Sequence, residues 1–196
     1  MNHIFYIMGK SASGKDRIYR ELLRDFEGRL EKIVLYTTRP MREGEKDGRE
    51  YFFVDEERFC RFREEKKLLE ARAYTTVHGV WRYFTADDGQ IDLDRSSYLA
   101  IGTLESYIQM KQYYPEGVLC PIYVEVEDGE RLTRALEREK KEAFPRYAEL
   151  CRRFLADCED FSEEKIREAE IERRFENVNF QICLAEIENY MRSVLY

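Results

Sequence analysis

Seven consecutive residues, Gly9, Lys10, Ser11, Ala12, Ser13, Gly14 and Lys15, follow a short apolar run and lead into a segment of helical pattern. This is the spacing GxxxxGK, in which the backbone curls so that successive N–H groups face one phosphate. The positive N-terminal end of the helix that follows strengthens the same field. Lys15 adds a mobile ammonium for outer phosphates. Asp16 stands where a Ser or Thr hydroxyl normally meets magnesium, and Arg17 follows it. A carboxylate there has two readings that the sequence does not separate. It can hold Mg²⁺ directly or through water, or it can complement the helix dipole in the first turn.

A second group of anion-binding side chains lies between Tyr36 and Val54, where Thr37, Thr38, Arg39, Arg42, Gly44, Glu45, Gly48 and Tyr51 occur in order. Arg39 and Arg42 offer planar forks to a phosphate dianion, and the Tyr51 hydroxyl can donate to the same oxygens. Glu45 is placed to orient an arginine by an ion pair. Further cations, Arg131, Arg134, Arg138, Arg146, Arg152 and Arg153, sit in or beside a highly charged stretch from Glu137 to Lys165 that interrupts the apolar pattern and reads as a projecting lid.

The elements that must hold these groups follow from apolar patterning. Strand-like runs at Ile4–Met8, Ile33–Tyr36, Tyr98–Ile101 and Ile122–Val126 alternate with helical patterns at Lys15–Phe26, Leu104–Tyr113 and Gly129–Glu139. That order predicts a parallel sheet flanked by crossover helices. Between the second and third runs, Tyr51–Val54, Leu68–Tyr74 and Val80–Thr85 are short and rich in aromatic or β-branched residues, which predicts a small antiparallel insert. His78 reads as a loop residue. Phe175–Asn177 predicts a last short strand, and Ile182, Ile187, Tyr190, Met191 and Leu195 trace a helical stripe to pack on the core. Phe26, Phe59, Phe62 and Phe154 are read as core. In such sheets ligands lie beyond the carboxyl ends of the strands, so loop, insert and lid should converge on a two-substrate cleft.

With 196 residues the chain suits one domain, divided here into a core (1–35, 95–130 and 166–196), an insert (36–94) and a lid (131–165). A net charge of −7 with 37% charged residues argues against a general nucleic-acid binder. The five cysteines form no CxxC pair and, with two histidines, give no zinc-ligand spacing, so they read as reduced thiols. No apolar run reaches the length of a membrane span, and no leader pattern is present, which makes cytoplasmic residence the expectation.

The loop together with Thr37-Thr38-Arg39, Arg42, Gly44-Glu45, Gly48 and Tyr51 resembles the guanylate kinase family of P-loop nucleoside monophosphate kinases, as a divergent, bacterial-type member. The resemblance implies a P-loop kinase fold, ATP bound with Mg²⁺ by Gly9 to Arg17, and phosphoryl transfer to GMP or dGMP by a monomer or homodimer. It further implies that Arg39, Arg42, Glu45 and Tyr51 hold the acceptor phosphate, and that Glu70, Tyr83 and Thr85 read the base. Glu70 would accept from guanine N–H groups, and Thr85 would donate to the guanine carbonyl. Lys15, Arg134, Arg138 and one of Arg152 or Arg153, with Arg153 favoured, would be the transition-state cations. Two positions depart from the family. The strand after the insert usually ends in Asp-x-Asp, but here reads Leu99, Ala100, Ile101, Gly102 and Thr103, and a serine often found before the first arginine is Leu35. These departures keep two alternatives open: a kinase of another nucleoside monophosphate or a sugar phosphate, and a non-catalytic module that holds phosphorylated peptides.

Overall fold

The computed structural model describes residues 2–76 and 79–196, so the loop reading of His78 lies outside the described residues. β1 (Ile4–Met8) is buried at every position and leads through the glycine loop into α1 (Lys15–Asp25). Its side chains divide by the period of a strand: Ile4, Tyr6 and Met8 join one core, and Phe5 and Ile7 join the other, on the opposite face of the sheet. β2 (Leu30–Lys32) follows, and then the chain enters the insert.

The insert contains β3 (Tyr36–Thr37), β4 (Phe52–Phe53), α2 (Glu56–Glu64), β5 (Leu68–Thr76) and β6 (Gly79–Ala86). The main sheet resumes with β7 (Ser97–Ile101), α3 (Leu104–Tyr113) and β8 (Leu119–Glu125). Three helices come next, α4 (Asp128–Glu139), α5 (Tyr147–Asp160) and α6 (Glu163–Glu168), and the chain ends with β9 (Arg174–Glu176) and α7 (Phe180–Leu195). The main sheet is parallel throughout in the order β2-β7-β1-β8-β9. The fold is therefore α/β, a parallel sheet flanked by helices.

Two strand expectations need correction. The run Ile33–Tyr36 is not the second core strand, which lies earlier at Leu30–Lys32. Ile33 N–H still donates to Leu99 O, but Val34 N–H goes to the Gln90 side chain and Leu35 O accepts from Phe52, so the backbone passes from one sheet to the other within the apolar run. Burial continues across the switch, and for that reason hydropathy does not mark it. The insert is also mixed rather than antiparallel. Its order is β4-β3-β6-β5, with β3 and β4 parallel and the other pairs antiparallel. A long crossover carrying Arg39, Arg42 and Glu45 separates β3 from β4, whereas a tight hairpin would have forced the opposite direction. Helix α2 was not anticipated. Asp55 caps it by accepting from Arg58 N–H, and it buries Phe59 and Phe62 against Tyr36 and Phe84. Phe26 is core as read, whereas Phe154 is half-buried beneath a guanidinium.

Candidate active site

The glycine loop is shaped by backbone conformation and tied down from two directions. Gly14, the residue before α1, has φ +86°, and a Cβ there would overlap the side-chain amide of Asn177. That amide donates to Ser13 O at 2.7 Å, closing the loop from the end of β9. The Ser13 hydroxyl is buried inside the loop without a protein partner. Lys15 Nζ lies 3.8 Å from an oxygen of Asp16, whose side chain is 80% exposed, and both residues border the cleft described below. Arg17 turns away and lays its guanidinium over the Phe180 ring at 3.8 Å.

The lid helices reach the loop through carboxylates. Asp157 on α5 accepts from Ser11 N–H at 2.8 Å, and Lys10 Nζ meets Asp128 at 3.2 Å. Arg131, almost wholly buried on α4, joins both acids at 2.9 Å and 3.2 Å and lies over Phe154. Burial disfavours the Asp128 charge, but Arg131 and Lys10 hold its carboxyl below the usual range.

At the other end of the cleft, Arg39 is buried and forms a bidentate pair with Glu45 at 2.9 and 2.8 Å, its guanidinium 5.4 Å from the Tyr51 and Phe53 ring centroids. Glu45 also accepts from Arg42 N–H at 2.7 Å. The Arg39 hydrogen bonds, helped by that N–H, pull the Glu45 carboxyl down to about 2. Arg42, Tyr51 and Tyr83 line the cleft, and the two tyrosine rings meet edge to face. Burial raises the Tyr51 phenol above its ordinary range, keeping it a donor.

Glu70 and Thr85, opposite one another on β5 and β6, are both buried, and Thr85 Oγ1 donates to Glu70 Oε1 at 2.9 Å. The other oxygen of Glu70 accepts from Arg72 Nε at 3.1 Å. Burial pushes the Glu70 carboxyl up, and the Arg72 charge and Thr85 hydrogen bond oppose that push. Sequence reasoning missed Arg72, although its place two residues after Glu70 puts both on one face of the strand. The departure at the end of β7 has a physical cause. A Cβ at Gly102 would run into the Tyr6 hydroxyl, which donates to Ser106 Oγ at 2.7 Å. Tyr6 thus fills the space that an acidic side chain at position 102 would need.

Loop, insert and lid border one cleft of 1330 Å³. From the lid, Arg146 and Arg152 line it, with Arg152 paired to Glu149 at 2.7 Å. Arg134 donates to Asn177 O and to Glu130, Arg138 is exposed on α4, and Arg153 faces Glu139 and Glu149 at 4.0 and 3.7 Å. Among the described residues no group of three or more potential metal-ligating side chains occurs. Asp16, a lone exposed carboxylate beside the loop lysine, fits a Mg²⁺ ion that takes its remaining ligands from water and phosphates.

Residues 1–84 match a family model described as guanylate kinase. Over nearly the whole chain, 192 residues or 96% of it, the sequence is 29% identical to the guanylate kinase of Thermotoga maritima, of which the match covers 77%. The chain is thus similar in sequence to guanylate kinases, most densely in its N-terminal part. A guanylate kinase of Bordetella pertussis is 36% identical over 118 residues, 59% of this chain and 53% of that protein, so the chain spans about half the length of that relative. The fold agrees with the crystal structure of guanylate kinase from Anaplasma phagocytophilum, at a TM-score of 0.67 and 19% identity, covering 98% of this chain and 85% of that one. The guanylate kinase model ends within β6, so the carboxylate ties of the lid and the Gly102 turn lie beyond it. Among the described residues no helix is long and apolar enough to cross a membrane.

Proposed function

We propose that this chain transfers the γ-phosphoryl group of ATP to the phosphate of GMP or dGMP, giving ADP and the nucleoside diphosphate. The observation that carries this reading is the single cleft bordered by Lys15 and Asp16 at one end and by Arg42, Tyr51 and Tyr83 at the other. The loop from Gly9 to Arg17 is the donor site, and its buried Ser13 hydroxyl is an unpaired donor suited to a phosphate oxygen. Arg42 and Tyr51 hold the acceptor phosphate, Arg39 and Glu45 fix that site as a pair, and Tyr83 borders the base pocket, with Glu70 and Thr85 buried behind its wall.

Transfer through a loose transition state needs alignment and neutralisation of the equatorial oxygens rather than a covalent intermediate. Lys15 and the loop N–H groups supply part of that charge. Arg146 and Arg152 border the cleft, with Arg134, Arg138 and Arg153 as further lid cations. Asp16 would hold Mg²⁺, which would supply positive charge against the phosphates. A closed lid excludes water, the competing acceptor.

The test is ADP release from ATP and Mg²⁺ with a panel of nucleoside monophosphates and sugar phosphates, using Lys15→Ala as the blank. Release that depends on GMP or dGMP supports the reading. Release with a different acceptor alone overturns the acceptor, and no release with any member overturns the activity.

A further inference from the structure

The base pocket holds a donor that the family resemblance does not supply. Thr85 directs its one hydroxyl hydrogen at Glu70, so in this arrangement it has none left for a ligand. The donor beside Glu70 is Arg72, whose guanidinium reaches Glu70 Oε2 through Nε and Thr103 Oγ1 through Nη1 at 3.4 Å. Arg72 borders the cleft together with Tyr83, Gly102 and Thr103. It pairs across the strands with Tyr83, two rungs beyond the Glu70 and Thr85 pair and so on the same face. Positions 100 and 102 are Ala and Gly, so the end of β7 brings no carboxylate to compete for the guanidinium, and the space at Gly102 belongs to the Tyr6 hydroxyl. One wall of the pocket therefore presents a guanidinium that the buried Glu70 carboxylate fixes from behind.

We propose that Arg72 is the specificity-determining donor of this pocket, directing N–H groups at the keto oxygen and adjacent ring nitrogen of a 6-oxopurine while the buried Glu70 carboxylate holds the guanidinium in place. A guanidinium fork matches O6 and N7 of guanine in geometry and polarity. A 6-aminopurine would turn an N–H donor toward the same cation and leave both unpaired. The inference rests on the nucleotide acceptor site proposed above and adds to it the group that reads the keto edge.

Calorimetric titration of GMP, 6-thio-GMP and 7-deaza-GMP into the wild-type chain, Arg72→Gln and Arg72→Lys tests it without requiring turnover. Sulfur is a weak acceptor, and the deaza ring lacks the nitrogen. The wild type should bind GMP at least ~10-fold more tightly than either analogue. Arg72→Gln should weaken GMP binding roughly 10- to 100-fold and bring the three ligands to within about twofold of one another. Arg72→Lys, which keeps a charge beside Glu70, should recover part of the preference for oxygen over sulfur, and melting curves check that both variants are folded. Equal weakening of all three ligands by Arg72→Gln would make Arg72 merely the counter-ion of Glu70 and overturn the inference. If GMP binds with an Arg72-dependent preference but is not phosphorylated, the catalytic reading fails alone. If a 6-aminopurine monophosphate binds and turns over instead of GMP, the Arg72 inference fails while phosphoryl transfer stands.

Discussion

The two ends of the cleft place their cations by different means. At the loop end the positive field comes from backbone N–H groups and a lysine whose near carboxylate, Asp16, is largely exposed. At the insert end, two buried arginines, Arg39 and Arg72, are each held by a carboxylate, Glu45 and Glu70. Backbone shape tolerates loss of a side chain better than a buried ion pair does, because removing one partner strands the other charge in a poorly solvated place. The loop end should therefore lose function without losing its fold, whereas the insert end should lose both together.

The largest effect on this contrast is expected from Lys15→Ala, which should lower kcat/KM on the order of 10²- to 10³-fold while the melting temperature stays close to wild type. A large loss of stability in that variant would break the comparison. Next is Arg39→Gln, which leaves Glu45 without its bidentate partner. It should cost about 2–4 kcal/mol in chemical denaturation and raise the KM for the acceptor far more than that for ATP. Gly14→Ala sharpens the loop side of the argument. The left-handed backbone and the Asn177 amide oppose a Cβ, so a loss of roughly 1–3 kcal/mol and weaker ATP binding are expected.

Acid separates the ends further. Arg39 holds the folded Glu45 carboxyl at about 2, below its usual 4.5, so folding favours the charged form. The stability gained from that pair is fully present above about pH 4.5 and drains away as pH falls toward 2. Melting temperatures of the wild type and Glu45→Gln should accordingly differ most above pH 5 and converge near pH 2. The smallest effect is expected from Arg138→Ala. An exposed side chain on α4 should change stability by less than about 0.5 kcal/mol, so any fall in kcat isolates a role in transfer.

What the sequence made legible follows the same division. The glycine loop, β1, β7 and α3 were readable because short-range patterns set them: glycines at fixed offsets, short continuous apolar runs and a helical apolar spacing. The switch from the main sheet to the insert at Ile33–Tyr36 was not readable, because both sheets bury those residues and only the distant partners Gln90 and Phe52 show where the backbone leaves. At the acceptor site, Arg39, Arg42 and Tyr51 could be picked out one by one, yet the pairing of Arg39 with Glu45 and the depth of its burial came only from the packed insert. Arg72 and Arg131 were hidden for a related reason. An arginine in a charged sequence reads as solvated unless its carboxylates are known to sit beneath it, and Asp157 lies 26 residues from Arg131.

The contact between Tyr6 and Gly102 also constrains how this chain can change. An aspartate at position 102 would meet the Tyr6 hydroxyl and Ser106 before it met a nucleotide, so that single replacement is blocked as long as the ring is in place. Exchange of Tyr6 for a smaller apolar residue has to come first, because phenylalanine would keep Cζ 2.9 Å from that Cβ, and it gives up the hydroxyl's bond to Ser106. The order of the two steps is therefore set by sterics: a chain that gains an acid at position 102 passes first through an intermediate altered at position 6.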